Sequence, residues 1–264
     1  MPAQDAGAVL DKAAETAVSG SPGNRAVAPK LDFELRPLDS YSGPVRIVGY
    51  ILVVVIAYLL GSIHTGFLVA KAKGVDIRTV GSGNIGATNV FRFLGKPAGV
   101  FVLLADAAKG WLAVFLVAKW VANWFFPDAS ALSREWFYLC AGMAAILGHN
   151  YTCWLHFKGG KGIATSAGVL VALVPVPLLI ILSVWIVAFV LSRYVSLASI
   201  CASFTLPFAS WFVGTSLKLI IVTAALGALA IYKHRANIQR LIKGTESRIS
   251  LKKPSPSGAP KPIS

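Results

Sequence analysis

The length of its apolar runs restricts this chain more than any other feature. Val45 to Leu68, Ala98 to Val121, Trp136 to Leu155 and Val195 to Val213 are each long and poor in charge. A helix of roughly 20 mostly apolar residues crosses a bilayer, because in hydrocarbon every backbone N–H and C=O must be paired within the segment. Leu217 to Tyr232 is shorter and equally apolar. Ile163 to Leu191 is too long for one span and too short for two full ones. "VPVP" at 174–177 divides it, since proline lacks the N–H and clashes with the preceding turn. The expected fold is an all-α integral membrane protein of about seven transmembrane helices, with the helix over 163–174 the shortest. Composition agrees: mean hydropathy is +0.68, with 56% hydrophobic and 14% charged residues, outside the range of a soluble domain.

The bases fix an expected orientation, because loops rich in Lys and Arg stay on the cytoplasmic side. With the N-terminus outside, the inner face collects Lys71, Lys73, Arg78, Arg92, Lys96, Lys158, Lys161 and Arg193. It also collects Lys233, Arg235, Arg240, Lys243 and Arg248, whereas the outer loops keep Arg134 and Lys218 beside Asp128 and Glu135. The C-terminus is then cytoplasmic. Residues 1–43 lack a sustained apolar face and read as a disordered extension, with one short helix around Val9 to Val18. No compact apolar segment follows a basic start, so a cleaved signal peptide is not expected. Residues 44–248 form the membrane domain, and 249–264, with "KKPSPSGAPKPIS", a flexible tail.

A net charge of +14 points to anionic headgroups or phosphate-bearing substrates. No basic recognition helix or stacking motif points to nucleic acid. Cys140, Cys153 and Cys201 lie in apolar segments and read as packing residues, without metal-ligand spacing. No metal and no cofactor is expected.

Three stretches on the inner face carry the chemistry. "VGSGNIGATNVFRFLGK" (80–96) sets Ser82, Asn84, Thr88, Asn89 and Arg92 among glycines; "FKGGKG" (157–162) holds Lys158, Gly159, Gly160, Lys161 and Gly162. "YKHRANIQRLIKGTE" (232–246) holds His234, Asn237 and Glu246. Glycine lets backbone N–H groups close on an anion, and a helix N-terminus adds partial positive charge. Neither glycine stretch is a Walker A loop. Turn formation and helix packing explain one such loop as well; two loops and a basic segment on one face favour a phosphate site. Asp106 and Lys109, three apart on one helix, form either a buried pair that sets helix register or part of an anion site. His149 and Asn150 close the third span beside "FKGGKG". No nucleophile elbow and no Cys/His pairing is present, leaving charge-stabilised transfer between two bound anions.

In order along the chain, "AYLLGSI", "GVDIRTVGSGNIGATNVFRFLGK", "LGHNY…FKGGKGIATSAGV", "RYVSLASI" and "YKHRANIQRLIKGTE" resemble the acyl-phosphate-dependent glycerol-3-phosphate acyltransferases, the PlsY family. The resemblance runs from about Ala57 to Glu246 and implies a multi-pass enzyme of the bacterial inner membrane, its site facing the cytoplasm. It implies acyl transfer from acyl phosphate to the 1-hydroxyl of sn-glycerol 3-phosphate, giving lysophosphatidic acid and inorganic phosphate. By the same resemblance Ser82, Arg92, Lys161, His234 and Asn237 are catalytic. The resemblance also implies that Asn84, Thr88, Asn89, Lys158, Gly159, Gly160 and Gly162 bind substrate and that Glu246 supports structure; Lys109 is counted with the substrate-binding groups from its place in the spans alone. His234 is either the base for the attacking hydroxyl or a donor to substrate phosphate; the activated donor favours the second. "GSIHTG" departs from the family, in which many members carry proline or another small residue at His64. The competing class, a transporter of a phosphorylated solute, requires a polar path to the outer face.

Overall fold

The computed structural model describes residues 43–126 and 131–249. The expected N-terminal extension with its helix around Val9 to Val18, and the tail from 250, lie outside the described residues. Every run expected to span is helical over most of its length, but the run Trp136 to Leu155 leaves its helix at Asn150, followed by a short 3-10 turn at Cys153–Leu155. α1 (Gly43–Gly61) and α2 (Thr65–Ala72) flank a break at Ser62–His64; α3 (Ala87–Leu94) precedes α4 (Lys96–Leu112). α4 passes into a π-helical segment, Ala113–Ala118, and then α5 (Lys119–Phe125). α6 is Ala131–Asn150, α7 Ile163–Leu173 and α8 Pro175–Ser192. α9 (Val195–Phe212), α10 (Leu217–Lys233) and α11 (Arg235–Ile242) complete the order. The proline pair acts as expected: Val174 alone separates α7 from α8, and Pro175 opens α8 at a position where its missing N–H costs nothing.

Four stretches are long and apolar enough to cross a bilayer: Val45–Ala72, Lys96–Phe125, Pro175–Ser192 and Val195–Phe212. α10 and α11, bent by 55°, bring the number to five when taken as one span. α6 and α7 occupy the remaining expected positions. α7 has 11 residues, about 16 Å at 1.5 Å per residue, so it falls short of a full crossing.

The helices meet through small side chains. A Cβ at Gly61 would run into the Ala145 carbonyl and one at Gly148 into the Tyr58 carbonyl, so α1 and α6 touch backbone to backbone. Gly110 and Gly168 bring α4 and α7 together in the same way. Lipid supplies no hydrophobic drive between helices, so close approach and dispersion must hold them. The long apolar side chains point outward instead: Leu191 is 81% exposed and Phe212 80%. That is stable against acyl chains and unstable against water. All three cysteines are free, and Cys153 is exposed, so it does not pack as the sequence suggested.

Candidate active site

α10 ends where the chain turns into α11, and His234 is the residue at the turn. Its N–H is held by the carbonyls of Ala230 and Ile231, which closes the last turn of α10. The ring is buried, 3% exposed, and Nδ1 lies 2.8 Å from the Ala230 carbonyl oxygen. A carbonyl only accepts, so Nδ1 carries the proton and Nε2 presents a lone pair. Burial, and then the Lys161 ammonium, lower the His234 pKa to about 4. The ring is therefore neutral at physiological pH, and an Nε2 of this kind accepts rather than donates. Of the two roles open in the sequence, this tautomer favours the base over the phosphate donor.

Asn237, one turn along α11, links two stretches. Its Oδ1 accepts from Lys161 Nζ, and its Nδ2 donates to Glu246 Oε1 at 2.7 Å. Glu246 also accepts from Ser196 Oγ and Arg240 Nε, each at 2.7 Å. Burial alone would raise its pKa, and these hydrogen bonds and the Arg240 charge outweigh it, holding the carboxylate ionised. Glu246 thus ties α9, α11 and the segment after it together through three side-chain hydrogen bonds. Neither Ser196 nor Arg240 stood out by residue type, although Ser196 lies in the quoted "RYVSLASI".

The loop 158–162 packs on the end of α6. Gly159 N–H donates to the Asn150 carbonyl at 3.2 Å and Gly160 N–H to the His149 carbonyl at 3.0 Å. A Cβ at Gly160 would overlap the His149 ring, and one at Gly159 the His149 carbonyl. These two glycines therefore serve close approach to α6, and their N–H groups are spent there instead of facing a ligand. Gly162 adopts φ +79° and caps α7, a conformation that side chains resist. The loop thus delivers Lys161 to the N-terminus of α7. Burial lowers the Lys161 pKa to about 8, with Arg240, Arg92 and Lys233 adding to the fall against the pull of Glu246. Lys158 is exposed.

In the first stretch Asn89 is 2% exposed, and its amide is fully engaged with backbone. Nδ2 donates to the carbonyls of Ile77 (3.2 Å) and Val80 (3.0 Å), and Oδ1 accepts from Ser82 N–H (3.3 Å). Asn84 Oδ1 accepts from Gly86 N–H at 2.9 Å, an Asx turn leading into α3. Both asparagines shape the loop, leaving exposed Ser82 and half-buried Thr88 to face a ligand. Arg92, on α3, donates from Nη2 to the Ser247 carbonyl at 2.8 Å and so joins the first stretch to the third. Its Nε is buried without a partner among the described residues, and burial lowers its pKa from the usual arginine value. The guanidinium keeps donors for an anion.

Lys109 lies deeper. Its Nζ donates to Asp106 Oδ1 (2.8 Å), the Ile63 carbonyl (2.6 Å) and His149 Nδ1 (3.0 Å). An ammonium has three donors, so none remains for substrate. Asp106 Oδ1 further accepts from Thr65 Oγ1 at 3.2 Å. The geometry favours the register-setting reading of this pair, tying α1, α2, α4 and α6 beneath the loop. His64, the family departure, is buried with its ring edge-on to His149, centroids 5.2 Å apart. Four cations and one neutral imidazole thus surround one place: Lys161, Arg92, Arg240, Lys233 and His234. Such an arrangement can hold two phosphates and accept a proton. Among the described residues no cluster of His, Cys, Asp and Glu could hold a metal ion.

A family model described as glycerol-3-phosphate acyltransferase matches residues 51–244. A glycerol-3-phosphate acyltransferase of Endomicrobium trichonymphae is 49% identical over 202 residues, covering 76% of this chain and 96% of that protein. The Aquifex aeolicus glycerol-3-phosphate acyltransferase is 43% identical over 198 residues, covering 75% and 98%. Two crystal structures of PlsY (YgiH), an integral membrane glycerol 3-phosphate acyltransferase, are also similar. The glycerol 3-phosphate form has TM-score 0.67 and 43% identity, covering 76% of this chain and 96% of that one. The lysophosphatidic acid form has TM-score 0.66 and 41% identity, covering 77% and 97%.

Proposed function

The chain belongs to the glycerol-3-phosphate acyltransferase family, and we propose that it transfers a fatty acyl group from acyl phosphate to the 1-hydroxyl of sn-glycerol 3-phosphate. The products are lysophosphatidic acid and inorganic phosphate, in the first acylation of phospholipid synthesis. The observation that carries this reading is the meeting of Lys161, Asn237, Glu246, Arg92 and His234 from three segments far apart in sequence. The glycerol 3-phosphate and lysophosphatidic acid forms of the similar PlsY structures support the acceptor and the product.

Acyl phosphate is a mixed anhydride, so its carbonyl is already activated and no covalent enzyme intermediate is required. The acceptor hydroxyl attacks the acyl carbon, the C–O bond to phosphate breaks, and phosphate leaves with the bonding electrons. The hydroxyl proton passes to His234 Nε2 or to a phosphate oxygen. Lys161 and Arg92 offset the charge of two phosphates brought close together, the arginine as a fork and the lysine as a point charge. The donor is tested by incubating purified protein with glycerol 3-phosphate and either acyl phosphate or acyl-CoA. Phosphate release and lysophosphatidic acid are expected with acyl phosphate alone; equal turnover with acyl-CoA would remove the donor assignment.

The same reading places the chain in the bacterial inner membrane with about seven spans, α6 and α7 included. It puts the N-terminus outside, and the site and C-terminus in the cytoplasm. Cysteines introduced at Lys158 and Gly244 are expected to react with an impermeant maleimide only in inverted vesicles, and one at Asp128 only in intact cells. Reaction at position 158 in intact cells would sink the orientation.

A further inference from the structure

Asn150 closes α6 directly under the Lys161 loop and is 1% exposed. Its backbone is fully used: the carbonyl accepts from Gly159 N–H at 3.2 Å and from Lys233 Nζ at 3.0 Å. Its side chain is not used. Both Oδ1 and Nδ2 are buried without a hydrogen-bond partner among the described residues. The carboxamide lies against Gly162, where a Cβ would sit 2.6 Å from Oδ1 and 3.3 Å from Nδ2. It is thus flanked by the residue after Lys161 and, through Lys233, by the residue before His234. One turn beyond Gly162, Thr165 is fully buried and its Oγ1 also has no partner.

An unpaired buried carboxamide is destabilising, because each of its groups has given up its hydrogen bonds to water and gained none. Such a cost at the edge of a site is maintained where a ligand removes it. The chemistry of the missing partner follows from the side chain. A phosphate oxygen would satisfy Nδ2 and repel Oδ1, whereas an alcohol donates to one and accepts from the other. Of the two hydroxyls of glycerol 3-phosphate, the 1-hydroxyl loses its proton and becomes the ester oxygen, so its requirement is an acceptor, which His234 Nε2 supplies. The 2-hydroxyl keeps its proton throughout and needs both a donor and an acceptor. We propose that Asn150 is a specificity-determining residue whose carboxamide recognises the 2-hydroxyl of the acceptor. This rests on the proposed reaction and goes beyond it by naming what distinguishes glycerol 3-phosphate from other phosphorylated alcohols.

The test compares glycerol 3-phosphate with 1,3-propanediol monophosphate, which keeps the phosphate and a primary hydroxyl and lacks the 2-hydroxyl. Acyl phosphate is the donor and kcat/KM the readout. Wild type is expected to prefer glycerol 3-phosphate by on the order of 10- to 100-fold, the factor matching one lost buried hydrogen-bonding pair. Asn150→Ala is expected to lower kcat/KM for glycerol 3-phosphate to about the value for the diol phosphate, while leaving the latter within about threefold. Asn150→Asp, of the same shape, removes the donor and is expected to lose most of the preference too. A preference unchanged in either variant means that an interior water serves the amide, and overturns the proposal. If neither variant folds, Asn150→Gln, which keeps the amide and displaces it, takes their place with the same expected loss of preference, and equal turnover of the two alcohols by wild type overturns the proposal in any case. Failure of the proposed reaction looks different, because wild type would then release no phosphate with either acceptor.

Discussion

Alanine at Arg92 or at Lys161 is expected to lower turnover by on the order of 100-fold, because a hydrogen bond to a charged group contributes about 1.5–3 kcal/mol. The two variants should fail differently. Lys161 Nζ already donates to Asn237 Oδ1, at the mouth of α7. Its removal takes a cation and the hydrogen bond that holds Asn237 in place, while Asn237 Nδ2 stays on Glu246. The loop itself remains on α6 through Gly159 and Gly160 N–H groups, so the variant should fold. Arg92 holds Ser247 with Nη2, and its loss also loosens the third stretch. Arg92→Lys is expected to recover part of the rate, since an ammonium replaces the charge and not the planar fork. The measurement is phosphate release under saturating acyl phosphate and glycerol 3-phosphate, with a thermal melt in detergent showing that each variant is folded. Folded Arg92→Ala and Lys161→Ala proteins with near wild-type rates would take these residues out of the site.

The same residues show what sequence pattern reveals and what it conceals. That "VGSGNIGATNVFRFLGK", "FKGGKG" and "YKHRANIQRLIKGTE" meet on one face followed from the alternation of apolar runs with basic loops, a signal spread over the whole chain. What each glycine does there did not follow. "GGKG" reads identically whether its N–H groups face a ligand or a helix end, and only the contacts of Gly159 and Gly160 with the α6 carbonyls separate the two. The family resemblance placed Asn89 with the substrate; its amide is consumed by Ile77, Val80 and Ser82. The alternatives for Lys109 stood level until Ile63 and His149, remote in sequence, took its remaining donors. Asn150 was visible only as a helix end. For the glycines and Asn89 the deciding partners are backbone groups of other segments, which carry no signature in the sequence; for Lys109 a backbone carbonyl and the His149 ring share that part.

His234 gives the second large expected effect, and pH separates its two roles. The Nδ1 proton is held by the Ala230 carbonyl, so Nε2 works as an acceptor only while the ring is neutral. The sign follows: activity is present above the His234 pKa, near 4 in the free protein, and is lost as pH falls through it. A bound dianion raises that value, moving the acidic limb upward. The opposite limb belongs to Lys161, a cation below about 8 that loses its charge as pH rises, so kcat/KM should fall above that value. Glycerol 3-phosphate itself titrates near 6, which bends every profile equally and cancels in the ratio of variant to wild type. His234→Gln is expected to lower kcat by about 100-fold, the lower end for a general base, because a phosphate oxygen can take the proton in its place. The variant's own profile should lack the His234 limb, so that ratio should rise as pH falls through it, with KM for glycerol 3-phosphate within about threefold. Glutamine presents an amide in the same space, so a donor role would survive the change. A variant that keeps most of its kcat and mainly raises KM would return His234 to phosphate binding and leave the substrate's own oxygen as the base.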